Sequence, residues 1–176
     1  LVMATTRAIL RGSARRMLSP GEALKRTNEI LLPEIPAHMF VTCLYAILDP
    51  RTGEIQFANA GHNLPVSCQN GNIRELRATG MPLGLMEDME YEENTAIIQP
   101  GECLLLYSDG LVEAHNPRGE MFGFDRLRTN MSCFLKGEMT LVDFLMSDLQ
   151  SFAGTQWEQE DDVTLLTLHY QHPGEA

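Results

Sequence analysis

Tight-turn chemistry recurs through the middle of this chain at intervals that leave room only for short strands. Asp49-Pro50-Arg51-Thr52-Gly53, Asn70-Gly71 and Pro100-Gly101 each separate two strand-like runs. Residues 40–48 (FVTCLYAIL) are rich in β-branched and aromatic side chains and read as a buried strand, with 54–60 (EIQFANA) returning. Residues 65–69 and 72–76 flank Asn70-Gly71, and 93–99 and 102–108 flank Pro100-Gly101. Three successive hairpins predict an antiparallel meander.

Helical periodicity brackets that meander. Residues 2–18 mix apolar and basic positions at helical spacing. Ser19-Pro20-Gly21-Glu22 then restarts a helix, with Ser19 as cap, Pro20 in the first position and Glu22 closing a capping box. That helix is expected to run to Leu32 and stop before Pro33 and Pro36. Two more are expected over 124–135 and 140–153. The second has Thr140 as cap, Asp143 at the box position and Leu141, Leu145, Leu149 and Phe152 on one stripe. Residues 163–170 (VTLLTLHY) are apolar on both faces and predict a strand in the centre of a layered structure. The sum is an α+β layered sandwich forming one domain over residues 1–176.

Bulk properties narrow the function classes. Of 176 residues, 44% are hydrophobic and 21% charged, which is the balance of a folded chain. A formal net charge of -11 disfavours nucleic acid and anionic lipid as partners. Arg7, Arg11, Arg15 and Arg16 form the one basic cluster and read as a solvated helix face rather than a polyanion site. Cys43, Cys68, Cys103 and Cys133 are far apart and never a CxxC pair, so their spacing gives neither a zinc knuckle nor a redox motif. The expected setting is a reducing cytoplasm, with no membrane insertion, since no apolar run approaches the roughly 18 residues of a span.

Two elements carry possible chemistry. Leu104-Leu105-Leu106-Tyr107-Ser108-Asp109-Gly110 ends an apolar strand abruptly in a carboxylate, followed by a glycine that lets the chain turn sharply. Glu158-Gln159-Glu160-Asp161-Asp162 places four acidic groups in five residues directly before another apolar strand. Taken alone, Asp109 reads as a turn residue and the acidic run as a solvated loop. Together they put an Asp at the tip of two apolar strands, which antiparallel pairing can bring into one shell of oxygen ligands for Mg²⁺ or Mn²⁺. A third element, Asn59-Ala60-Gly61-His62, reads as a turn braced by side-chain to backbone hydrogen bonds with Gly61 at positive φ. The alternative role for His62 is as a donor to a phosphoryl oxygen or a general acid.

In order along the chain, FVTCLYAILDPRTGEIQFANAGHNLPV, GMPLGL, PGECLLLYSDGLVEAHNPRGEMFGFDRL and DDVTLLTL make a specific set spanning roughly residues 40–170. This set resembles the PPM-type metal-dependent serine/threonine protein phosphatases, in the bacterial branch named after stage II sporulation protein E. The resemblance implies a four-layer αββα sandwich of two antiparallel sheets flanked by helices. It also implies a centre of two Mn²⁺ or Mg²⁺ ions, about 3.5–4 Å apart, whose activated water attacks a phosphoserine or phosphothreonine with no covalent enzyme intermediate. No side chain is then the catalytic nucleophile. Asp109 matches the aspartate of the family's DG pair and Asp161 the first of its DD pair, both as metal ligands. Asp162 and Gly110 are expected to support those ligands from behind. By the same resemblance the substrate is a phosphorylated protein, usually an anti-sigma-factor antagonist, and the usual upstream module is a sensor or receiver domain. The rival expectation is a catalytically dead pseudophosphatase that serves as a regulatory binding module. Retention of both Asp109 and Asp161 argues against it.

One departure stands at the N-terminus. Family members carry a G-D-x-x-G-x-G segment, which supplies the metal-bridging aspartate and a carbonyl ligand, just before the helix that here begins at Leu1. No such segment occurs in these 176 residues. The expectation is a truncated domain missing its first strands, with an open sheet edge that favours a homodimer contact, or with disorder near residues 1–18. These 176 residues alone are expected to dephosphorylate a phosphoprotein poorly or not at all. Turnover at the rate of an intact relative, measured by phosphate release, would show the metal ligands to be misassigned.

Overall fold

In a computed structural model, residues 2–15, 19–36, 38–134, 139–154 and 161–171 are described. The expectations for residues 16–18, for Leu135 and for Glu158 to Glu160 lie outside them. The chain divides into two compact units, Leu1–Leu64 with Arg77–Ile98, and Pro65–Leu76 with Gln99–Ala176. Each has its own antiparallel sheet, its own helices and its own core, as the α+β reading requires.

The first unit holds helices α1 (Val2–Ala14) and α2 (Pro20–Leu31), a short 3-10 turn (Leu32–Glu34), and strands β1 (Cys43–Leu48), β2 (Glu54–Ala60) and β5 (Glu93–Ile97). The sheet order is β1-β2-β5. Ser19 caps α2 as expected in part: its backbone N–H donates to the Glu22 carboxylate at 3.3 Å, while its hydroxyl donates to Glu93. Leu24 and Leu31 of α2 bury fully against Val41, Ala58, Ala60, Leu83 and Tyr91, and half-buried Val2, Ile9 and Leu10 of α1 pack on the same core. Burial of this kind stabilises by about 1.5–3 kcal/mol for each large side chain.

The second unit holds β3 (Val66–Gln69), β4 (Asn72–Glu75), β6 (Cys103–Tyr107), β7 (Leu165–His169) and helices α3 (Asp109–Val112), α4 (Gly123–Cys133) and α5 (Leu141–Ala153), with sheet order β4-β3-β6-β7. The β3–β4 hairpin turns on Asn70 and Gly71, both at positive φ (52° and 79°), as that dipeptide predicts. Thr140 caps α5, its hydroxyl oxygen accepting from the Asp143 N–H at 3.1 Å. Leu141, Leu145 and Leu149 enter a core with Val66, Leu105, Leu111, Leu127 and Met131.

Three strand expectations need correction. The Pro100-Gly101 turn forms, with Gly101 at φ 82° and Glu102 N–H donating to Gln99 C=O at 2.9 Å, but its arms do not pair. Strand β5 pairs with β2 and β6 pairs with β3 and β7, so there is no continuous meander. A turn fixes chain reversal, whereas pairing follows burial: β5 alternates exposed and half-buried positions, while β6 is buried almost throughout. Residues 40–48 are not a buried strand either, because β1 starts at Cys43, lies at a sheet edge half-buried, and leaves Phe40 exposed. Finally, β7 is an edge strand among the described residues rather than a central one, with Leu166 60% exposed.

Helices α4 and α5 are joined by a polar clamp. Arg126 donates through Nε and Nη2 to both Asp148 oxygens at 2.7 Å, and Asn130 Nδ2 adds a bond of 2.6 Å to Asp148. The guanidinium also sits 5.3 Å from the Phe122 ring centre and 4.8 Å from that of Phe152. Hydrogen bonds from Arg126, then Asn130, hold the Asp148 carboxyl below the ordinary carboxylate range against its partial burial. Asp148→Ala should lower unfolding stability by about 1–2 kcal/mol, reduced from the fully buried value by partial exposure. Because the folded pKa is depressed, the contribution is present above the ordinary carboxylate value, near about 3.9, and fades as pH falls through the folded value. Denaturant titrations at neutral and acid pH should show the two proteins converging in acid.

Candidate metal centre

The second unit brings the two aspartate-bearing strand ends together through main chain. In the β6–β7 ladder Tyr107 faces Leu165, and the ladder continues one step further as Ser108 N–H donates to Thr164 C=O at 3.0 Å. Ser108 Oγ then bridges the gap beyond it. It donates to Asp162 C=O at 2.8 Å and accepts from Thr164 N–H at 2.9 Å, across 54 and 56 positions of sequence. Tyr107 anchors the strand end from below, 2% exposed and edge-on to Phe124, and burial pushes its phenol pKa up.

Above this floor both carboxylates are exposed. Asp109 opens α3, with its Oδ1 accepting from Gly110 N–H at 3.1 Å, and Asp161 Oδ1 accepts from Asp162 N–H at 2.7 Å. Each carboxylate is thus fixed by the amide that follows it. Asp162 contributes its backbone carbonyl to Ser108 while its side chain is exposed. Gly110 serves differently from the sharp turn read in the sequence. It is buried in a helical turn, and a Cβ there would lie 2.7 Å from Asp162 O and 3.3 Å from Asp161 O. Glycine is required here by space, because another backbone passes against it.

All-oxygen donors fit the hard-cation character of Mg²⁺ or Mn²⁺ in kind. Their number is short, since no group of three or more His, Cys, Asp or Glu side chains among the described residues converges to hold an ion. Ser108 is the residue that sequence reading missed. Its only local signal is a hydroxyl just before the aspartate of YSDG, and its role depends on a strand far away in sequence.

In the first unit the Asn59–His62 turn is braced as expected. Asn59 Nδ2 donates to His62 C=O and His62 N–H to Asn59 Oδ1, both at 2.8 Å, while Gly61 takes φ 71°. The segment over residues 80–86 is pinned by a second buried amide. Asn28 of α2 accepts from Gly84 N–H at 2.7 Å and donates to Met86 C=O at 2.8 Å.

Two substitutions probe the floor. Ser108→Ala removes a two-bond bridge at a half-buried hydroxyl and should cost about 1 kcal/mol, and Gly110→Ala, forced against a carbonyl, about 1–3 kcal/mol. Denaturant unfolding measures both. An unchanged stability for Gly110→Ala would mean the strand ends are not held this close.

The sequence model described as stage II sporulation protein E (SpoIIE) matches residues 1–171. Among curated relatives, protein IcfG of Synechocystis is 29% identical over 84% of this chain and 23% of its own length. The phosphoserine phosphatase RsbU of Bacillus subtilis is 28% identical over 86% of this chain and 45% of its own. The chain therefore spans less than half the length of either relative. Among solved structures, the SiaA-PP2C domain of Pseudomonas aeruginosa shares the fold at a TM-score of 0.81 and 19% identity, covering 97% of this chain and 68% of that one. The manganese-presoaked phosphatase domain of Bacillus subtilis SpoIIE gives 0.67 and 19% over 95% and 72%. With its sequence matched almost from end to end, the chain belongs to the stage II sporulation protein E family.

Proposed function

We infer that this domain hydrolyses phosphoserine or phosphothreonine on a protein partner, in bacterial signalling, with Mn²⁺ or Mg²⁺ held in part by Asp109 and Asp161. The observation carrying this reading is the convergence of those two strand ends through Ser108, Gly110 and Asp162. Family membership and the phosphoserine phosphatase RsbU among the relatives support it. Divalent ions, when bound, supply an acidified water and neutralise charge on the phosphoryl group.

The chain's own residues supply position. Asp109 and Asp161 present carboxylate oxygens on a backbone that is already hydrogen-bonded, and the amides of Gly110 and Asp162 fix one oxygen of each. Asp162 and Gly110 keep the two ligands at a set separation. The substrate in this reading is a phosphorylated protein of the anti-sigma-factor-antagonist type, with a sensor or receiver module elsewhere in the polypeptide. A pseudophosphatase would keep the same scaffold without turnover, so activity separates the two readings.

The test uses the polypeptide that carries this chain at its natural length. Release of phosphate from a phosphoserine protein should require Mn²⁺ or Mg²⁺ and stop in excess chelator. Asp109→Asn keeps the oxygen that accepts from Gly110 N–H but removes the charge. Activity should fall by at least about 100-fold, since altering a group that merely supports a ligand already costs 10–100-fold. Full activity in chelator, or in Asp109→Asn, would overturn the assignment.

A further inference from the structure

Cysteines with no pairing signal in the sequence become neighbours in the second sheet. Cys68 of β3 is the direct ladder partner of Cys103 in β6, and Cys103 is the direct partner of His169 in β7. Ladder partners project to one face, so two thiols and an imidazole form a row across three adjacent strands. Directly opposed residues have Cα atoms about 4.5–5.5 Å apart, inside the roughly 4.4–6.8 Å that a disulfide spans. All three line one cavity of about 520 Å³, whose walls include Asn70, Met131 and Leu141. Cys103 Sγ lies 3.8 Å from His169 Nε2, while Cys68 Sγ points to helix α4 and donates to Met131 C=O at 3.3 Å. In the resting state the Cys68 sulfur is thus turned toward α4, while its ladder partner Cys103 lies beside the imidazole.

We propose that Cys68 and Cys103 form a dithiol site oxidised by hydroperoxides, with His169 accepting the Cys103 proton and Cys68 resolving the product. Cys103 gives its proton to His169 Nε2, and its sulfur attacks one peroxide oxygen. The O–O bond breaks, and with hydrogen peroxide the departing oxygen leaves as water after taking the proton back from the imidazolium. Cys103 is then a sulfenic acid. Cys68 sulfur attacks that sulfur, the S–O bond breaks, and the hydroxyl leaves as water with the Cys68 proton. One peroxide is reduced to two waters and two thiols become one disulfide.

The division of roles follows the surroundings. Burial raises the Cys68 thiol pKa, against a lowering contribution from the Gly71 amide, which suits the second step better than the first. Cys103 has the imidazole beside it. Cys43 has no part, since burial pushes its thiol up to about 11.

The experiment treats the purified chain with hydrogen peroxide, traps remaining thiols by alkylation and maps peptides without reduction. A Cys68–Cys103 crosslink should accumulate in the native protein and in a Cys43→Ser, Cys133→Ser double variant. It should be absent from Cys68→Ser and from Cys103→Ser. His169→Gln should slow loss of the Cys103 thiol several-fold. The proposal fails if Cys68 and Cys103 both stay alkylatable, or if the crosslink forms no faster than in urea-unfolded chain. An unchanged rate in His169→Gln would remove the imidazole from the mechanism.

Discussion

The hydroxyl of Ser108 does what neither strand can do alone. Beyond Tyr107 and Leu165 the β6–β7 ladder has one backbone bond left, and past it the two chains diverge, α3 on one side and the loop through Asp162 on the other. A divergence leaves amides and carbonyls without partners unless something fills the gap. Ser108 fills it with a donor and an acceptor on a single atom, and the bare Cα of Gly110 lets the Asp162 carbonyl close in behind. The positions of Asp109 and Asp161 both depend on this join.

What could be read from sequence was the chemistry that acts over a few residues. The Asn70-Gly71 hairpin, the Thr140 cap and the Asn59–His62 brace all involve partners within four positions, and each appears as expected. The Pro100-Gly101 turn was equally legible as a turn. Its failure as a hairpin arises because β5 is suited to the edge of the first sheet and β6 to the interior of the second. Strand β7 misled for a related reason: apolar residues on both faces resemble an interior strand, yet Leu166 is exposed.

Longer-range polar contacts were invisible for the same physical reason. Ser108, Asn28 and Arg126 each look ordinary in sequence, and each acquires its role from a partner brought near by folding. The meeting of the two aspartate-bearing strand ends was foreshadowed by a repeated setting, an acidic residue beside a strongly apolar strand. The hydroxyl and the glycine that fix their spacing carry no such repetition. Cys68 and Cys103 follow the same logic, since ladder register alone makes them adjacent.

The join at Ser108 also bears on how tightly any ligand can be held. Exposed carboxylates usually lose rotational freedom when they capture a cation, and a loop beneath them loses more. Here Asp109 follows Ser108 and Asp161 precedes Asp162 at the join those two residues make, and the Oδ1 of each aspartate is tethered to the next amide. Most of the entropy of ordering is surrendered when the chain folds, before a ligand arrives. Association at this rim should therefore carry a small entropic penalty even though both carboxylates face solvent.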